Sequence, residues 1–355
     1  MSNLPVYKIA AIGLGKIGYK HARAMAECSR WELAWVCDLN EDVLAKAVRE
    51  FAPEARRTTA IDDVLDDDSV DAVAINTLSN VRPELIKKAI AVGKHVICEK
   101  PLAPSAAEAR ALLESIRGTD RLIATNLFNR NAPYVRAAYD FIADGQIGEI
   151  ALVRVSHITA GLDLPERAAD THRGVEGHVL HDCGMHYVDI MRWFAASEYR
   201  DDYHARATQF WGDDYEYQFQ AYGRFESGAA FELNNGFCFT TLSKERRNHS
   251  FMEFIGTWGA VTLWHDFGKA TVKMNGRDRT VDEVVPYGGK KLDIYYLEFA
   301  RALDTGELGK LPRVEDAVIA SEVAQGMVDR ALAGEVPNFG SPEDLDRATA
   351  EARNE

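Results

Sequence analysis

The sequence predicts an α/β protein in two parts: a doubly wound parallel sheet, then a C-terminal α+β domain built on a largely antiparallel sheet. Three observations predict it. Short apolar runs alternate with helix-period segments over the first 125 residues. A glycine pattern, GLGKIG (13–18), lies between the first apolar run and the first helical segment, which makes the sheet Rossmann-type. After residue 150 period-two strands and turn residues replace that rhythm.

The apolar runs VYKIAAIG (6–13), ELAWVCD (32–38), DAVAINT (71–77), HVICEK (95–100) and RLIATN (121–126) read as buried strands. Between them residues 16–28, 41–51, 83–93 and 105–118 read as helices, and such alternation implies parallel strands covered on both faces. In YEYQFQAYGRF (215–225), Tyr215, Tyr217, Phe219 and Ala221 share one face, and Glu216, Gln218 and Gln220 the other. Turn signals follow at ESG (226–228), GTWG (256–259) and NG (275–276). Two helical patterns, 293–306 and 314–334, close the chain. The rhythm changes near GQIGEI (145–150). The first domain is assigned to 1–126 and the second to 127–355, its last helices free to pack back on the first.

Composition narrows the function. The formal net charge of −14 over 355 residues argues against nucleic acid or an anionic membrane as partner. No apolar run reaches membrane-span length, and the start MSNLPVYKIAAIGLG lacks a basic n-region and a cleavage site. Five scattered cysteines (28, 37, 98, 183, 238) without a CxxC pair fit a reducing cytosol, so a cytoplasmic location is expected. The acidic run DDVLDDDSVD (62–71) reads as a solvated helix end and turn.

Each glycine of the pattern has its own task. Gly13 permits a tight turn, Gly15 lets a pyrophosphate approach the backbone, and Gly18 lets helix and strand pack closely. The helix N-terminus, with Lys16 and Ile17, supplies N–H groups and partial positive charge. Asp38, 20 residues after Gly18, can accept hydrogen bonds from ribose hydroxyls and would repel a 2′-phosphate; Leu39 and Asn40 offer no cation. NAD is therefore expected over NADP. Thr77, Glu99 and Lys100 complete the expected cofactor contacts. Glu99 and Lys100, in CEKPLAPS (98–105), emerge at a strand's carboxyl edge, where a nicotinamide would lie, although a strand-end salt bridge explains the pair equally well.

The stretch HDCGMHYVDIMRWF (181–194) predicts a helix whose Asp182, His186, Asp189 and Trp193 align on one side. Cys183, Tyr187, Ile190, Met191 and Phe194 form an adjoining apolar stripe. Two carboxylates and an imidazole on a mostly apolar helix are costly unless paired or used.

Taken in order, GxGxxG, EKP (99–101) and DxGxH (182–186) resemble the Gfo/Idh/MocA family of oxidoreductases, and FNRNAPYVRAAYDFIADGQIGEI (128–150) resembles its segment leading into the second domain. The resemblance implies a catalytic Lys100, a Lys100–Pro101 bond of the kind often found cis, and a functional Asp182 and His186. It also implies a dinucleotide-binding Rossmann domain over 1–126 and, over 127–355, a substrate-binding and oligomerisation domain whose open-faced, largely antiparallel sheet joins a homodimer or homotetramer. One departure stands out: TLSNVRP (77–83) has Leu78 and Arg82 where the family often has proline and histidine. On this pattern His186 takes the hydroxyl proton as hydride leaves the same carbon, Lys100 stabilises the oxygen, and Asp182 orients the imidazole or binds a hydroxyl. Asp189 is read as a buried acceptor.

The expected substrate is a sugar, glycoside or inositol-like polyol. His157, His172, Arg173 and His178 are candidates to line its pocket, with Asn129 and Arg130. His178, His181, Cys183 and His186 are poorly spaced for zinc, so no metal is expected. Two alternatives are a redox-neutral enzyme that retains NAD through elimination or epimerisation, and a non-catalytic NAD-binding regulator.

Overall fold

The computed structural model describes residues 4–160, 176–213 and 217–352. The chain divides into two compact units. One is Met1–Asn131 with Lys290–Val318, and the other is Ala132–Gly289 with Ile319–Glu355.

The first unit is built on six parallel strands: β1 (Tyr7–Ile12), β2 (Trp31–Cys37), β3 (Arg56–Thr58), β4 (Ala72–Ile75), β5 (His95–Cys98) and β6 (Ile123–Thr125). Their order, β3-β2-β1-β4-β5-β6, reverses direction of travel between β1 and β4, the place where such sheets bind ligands. The helices between are α1 (Lys16–Glu27), α2 (Glu41–Glu50), α3 (Ile61–Leu65), α4 (Arg82–Ala91) and α5 (Ala106–Ser115). Local chemistry sets their starts. Asn40 accepts the N–H groups of Asp42 and Val43 ahead of α2, and the Ser105 hydroxyl accepts that of Glu108 in α5. Strand β3, sequence RRT, escaped the sequence analysis because an exposed three-residue edge strand carries no apolar run.

The helix Leu292–Thr305 completes this unit's core. Tyr295, Tyr296 and Phe299 are fully buried with Ile9 and Met25. The Trp31 indole N–H donates to the Tyr296 carbonyl at 2.8 Å, and Arg30 pairs with Asp304 at 2.8 Å. Residues distant in sequence thus fasten the start of β2.

The second unit holds a nine-stranded sheet: β7 (Ile150–Ile158), β8 (His204–Phe210), β9 (Tyr217–Arg224), β10 (Ala230–Gly236), β11 (His249–Gly256), β12 (Ala260–His265), β13 (Lys269–Asn275), β14 (Thr280–Pro286) and β15 (Asn338–Phe339). The order is β14-β13-β12-β11-β7-β10-β9-β8-β15, antiparallel except for the β7–β10 and β8–β15 pairs. Helix α6 (Pro133–Ala143) packs against β13, and α7 (Met185–Ala195) against β7.

The covered face changes character from one cross-strand row to the next. Val261, Phe254, Val153 and Phe231 form one apolar row, and Leu263, Met252, Val155 and Leu233 the next. The third row is His265, Ser250, His157 and Asn235, all buried. Tyr187 from α7 meets this row, its hydroxyl 2.7 Å from His157 Nδ1. Burial pushes His157 down to about 3, helped by His265 and His249. Burial likewise pushes His265 down to about 4, with His249 acting in the same direction and Asp266 against it. Both imidazoles are neutral at neutral pH. Among the described residues, no helix is long and apolar enough to cross a membrane.

These two histidines make stability depend on acid. In the unfolded chain they titrate near 6.5, whereas the folded chain binds those protons only near 3 and 4. Their contribution is complete above about pH 6.5 and is lost as pH falls toward the folded values. Urea unfolding of His265→Phe between pH 6 and 4 is expected to flatten the slope of stability against pH by up to about 1.4 kcal/mol per pH unit. An unchanged slope would show that His265 is not held neutral.

Candidate dinucleotide and catalytic sites

The turn after β1 is shaped by three close approaches. Gly13 adopts φ +83°, and a Cβ there would lie 3.0 Å from the backbone of Asn76 and Thr77. A Cβ on Gly18 would lie 2.0 Å from the Gly13 carbonyl oxygen, so α1 packs on the turn only with glycine at that position. A Cβ on Gly15 would meet nothing within 4 Å. Gly15 therefore borders an open cradle at the start of α1, where Lys16 is exposed and, among the described residues, no side chain caps the helix.

Asp38 is anchored to the same turn. Its Oδ2 accepts the Leu14 N–H at 2.6 Å and its Oδ1 the Asn40 N–H at 2.9 Å. Each oxygen retains a lone pair for a ribose hydroxyl. At the end of β4, Asn76 Oδ1 and Thr77 Oγ1 are buried with no hydrogen-bond partner among the described residues. An open phosphate cradle, an anchored carboxylate and orphaned polar atoms at one sheet edge fit a dinucleotide. Gly13, Gly15, Lys16, Ile17, Gly18, Asp38 and Thr77 are the residues that would hold it.

Beyond β5 the chain turns through Glu99, Lys100 and Pro101, with a cis Lys100–Pro101 bond. Glu99 is buried; its Oε1 accepts His21 Nε2 at 2.8 Å and Asn126 Nδ2 at 2.7 Å, and its Oε2 accepts the Lys100 N–H at 3.2 Å. Burial by itself would raise the Glu99 carboxyl, but Lys290, His21 and Lys100 outweigh it and hold the group well below the usual carboxylate range. The carboxylate expected at the cofactor is thus directed into the protein. Arg82, at the position that departs from the expected histidine, is buried, and its guanidinium donates to the carbonyls of Thr77 and Pro101.

Asn129 and Arg130, offered as substrate contacts, are 2% and 4% exposed, and Arg130 pairs with Asp316 at 3.3 Å. Both lie on the turn Phe128–Asn131.

In the second unit the expected single α-helix over 182–194 begins differently. Leu180–Gly184 forms a π-helical turn and α7 follows. Such wide turns recur at functional sites. Gly184 permits the close packing of that turn, since a Cβ would lie 2.4 Å from Leu180 Cδ1 and 3.0 Å from Asn235 Oδ1. The polar stripe is largely as buried as the apolar one, as its place on a mostly apolar helix implies. Every residue from Gly184 to Met191 is buried, His186 and Asp189 included, while Asp182 is half-buried.

The other histidines separate into roles. His181 Nδ1 donates to the Glu176 carbonyl at 2.9 Å, so its Nε2 accepts from Ser321 Oγ at 2.7 Å. His178 lies edge-on to Tyr217, ring centroids 5.4 Å apart. His172 and Arg173 lie outside the described residues. Sequence reasoning missed His21, Asn126, Tyr296 and Lys290 around Glu99, and Ser250, Asn235 and His265 beside His157. Their only signal is pairing register and long-range packing, neither of which is local.

Residues 7–127 match the family described as "Oxidoreductase family, NAD-binding Rossmann fold", and residues 135–262 match the GFO/IDH/MocA C-terminal domain. The chain belongs to the GFO/IDH/MocA family. Its first domain is NAD-binding. Inositol 2-dehydrogenase from Gluconacetobacter diazotrophicus is 29% identical over 195 residues, 54% of this chain and 55% of that protein. The chain thus matches about half the length of that curated relative. Among solved structures, myo-inositol 2-dehydrogenase from Lactobacillus plantarum has a TM-score of 0.75 at 22% identity, covering 93% of this chain and 98% of that one. Levoglucosan dehydrogenase, solved with NADH and levoglucosan, has a TM-score of 0.76 at 20% identity, covering 92% and 97%. Both share the fold.

The glycines separate binding from folding. Gly15→Ala is expected to leave the melting temperature unchanged while weakening NADH binding, read by fluorescence, about tenfold or more. Gly18→Ala should lower the melting temperature. Equal NADH affinity in Gly15→Ala would mean that the cradle holds no pyrophosphate.

Proposed function

We propose that this chain is an NAD-dependent dehydrogenase moving a hydride between nicotinamide and a secondary ring hydroxyl or ketone of a sugar, glycoside or inositol-like polyol. The observation that carries the reading is the retention, on a GFO/IDH/MocA chain, of a lysine after a buried, fully bonded glutamate together with the Asp182–His186 pair. NAD, when bound, supplies the hydride acceptor, or in reduced form the donor. Lys100 hydrogen-bonds the reacting oxygen and stabilises its developing charge. His186 takes the hydroxyl proton in oxidation and returns it in reduction, and Asp182 orients the imidazole or a neighbouring substrate hydroxyl.

The substrate class draws support from the relatives named for inositol and levoglucosan. It also draws support from the neutral row of His157, Ser250, Asn235 and His265, whose groups suit hydroxyls better than carboxylates or phosphates. Asn235 Oδ1 and both His265 ring nitrogens have no partner among the described residues. His157 and His178 are the described candidates for substrate contact. Asp38 favours NAD over NADP by repelling a 2′-phosphate. Self-association would use the other sheet face, where half-buried Leu152, Phe251, Ile255 and Trp264 adjoin an Arg154–Glu232–Glu253 ion network. No disulfide joins the five cysteines, which supports a cytoplasmic location.

The test is a panel of inositols, aldoses and glycosides with NAD or NADP, followed by nicotinamide absorbance. One class is expected to give NADH. Lys100→Met and His186→Asn should each cut turnover by about 10²–10⁴-fold with NADH affinity preserved. Near-native turnover in His186→Asn would contradict the assignment.

A further inference from the structure

We propose that Glu99 and His21 are positioning residues for Lys100: a buried anion, fixed by an imidazole, that anchors the Lys100 backbone and gives its ammonium a fixed counter-charge. The consequence for turnover rests on the function proposed above; the arrangement itself does not.

The carboxylate lies at the end of β5 with no side-chain exposure to speak of, and the His21 side chain has none. Isolated ionised groups are not buried in this way without partners. Glu99 has three donors, from His21, Asn126 and the Lys100 N–H. His21 Nδ1 in turn lies 2.7 Å from the Tyr296 hydroxyl. A second cation, Lys290, also acts on Glu99, and its ammonium sits 5.5 Å from the centre of the Phe128 ring. Among the described residues, other titratable or charged groups around the turn are Tyr295, the Cys98 thiol and Arg82, whose guanidinium holds the Pro101 carbonyl. A well-packed apolar pair could replace a buried ion pair at little cost in stability. What such a pair could not supply is negative charge beside Lys100.

Helix α1 makes the arrangement informative. Its first turn borders the phosphate cradle at Gly15, and His21 follows three residues after Gly18. One helix therefore sets the phosphate end of the dinucleotide site and, through His21 and Glu99, the lysine at the end of β5.

The experiment is an NMR titration of the holoprotein labelled with [13C]ε-lysine, the Lys100 signal being assigned by its loss in Lys100→Arg. Glu99→Gln is expected to lower the Lys100 midpoint by about 1–3 pH units. Its kcat should fall about tenfold or more with little change in KM. His21→Phe, which removes the donor that fixes the carboxylate in place, should lower the midpoint by less and carries the test should Glu99→Gln not fold. A Lys100 midpoint unmoved in the folded variants, even with a lowered melting temperature, would reduce the network to a structural role and overturn the proposal. The midpoint is read without substrate, so an empty substrate panel would remove the proposed function and leave this result standing.

Discussion

A carboxylate buried at the end of a parallel strand has to be paired, and the arrangement of the first unit around Lys100 follows from that pairing. Glu99 draws His21 from α1, Asn126 from beyond β6, and the influence of Lys290 ahead of the helix Leu292–Thr305. Those elements are far apart in sequence, yet each must be in place for the charge to be tolerated in low dielectric. The same helix Leu292–Thr305 supplies Tyr296, which bonds both His21 and Trp31, so the core and the site share a support. Arg82 adds a second restraint by holding the Pro101 carbonyl together with that of Thr77 at the end of β4. Lys100 stands on a backbone fixed from two directions.

The second unit solves a different problem with neutral groups. Two apolar rows across its sheet give way to a row of two histidines, a serine and an asparagine, with Tyr187 bonded to one of them. Burial keeps these imidazoles uncharged, so the row offers hydrogen bonds without net charge. The first unit concentrates charge that is paired, while in the second Asn235 Oδ1 and both His265 ring nitrogens have no partner among the described residues. Hydride transfer from a polyol asks for both: a fixed cation for the developing oxyanion, and neutral donors and acceptors for spectator hydroxyls.

Much of the fold was legible because it depends on local pattern. Gly13, Gly15 and Gly18 declared their turn through spacing, and the strand termini carrying Asp38 and Lys100 followed from apolar runs. The structure matched these with the strand order and the open cradle. What was not legible depends on register and distance. Nothing near His265 marks it as the cross-strand neighbour of Ser250, and nothing near His21 points to a glutamate 78 positions away. The π-helical turn before α7 was hidden for another reason: DxGxH fits an α-helix equally well until the packing of Gly184 against Leu180 and Asn235 is known. Arg82 was visible as a departure, but its task as a carbonyl clamp appears only when the turn it holds is in view.

The central claim is that a hydride passes between a carbon bearing a hydroxyl and the nicotinamide. It is tested most directly by supplying the active polyol with deuterium on the reacting carbon and examining the dinucleotide by NMR. Deuterium at C4 of the nicotinamide in released NADH, with a primary isotope effect on its formation, is the result this account requires. Deuterium that stays with the carbon skeleton or exchanges into water, with no transfer to C4 at any stage, would contradict it.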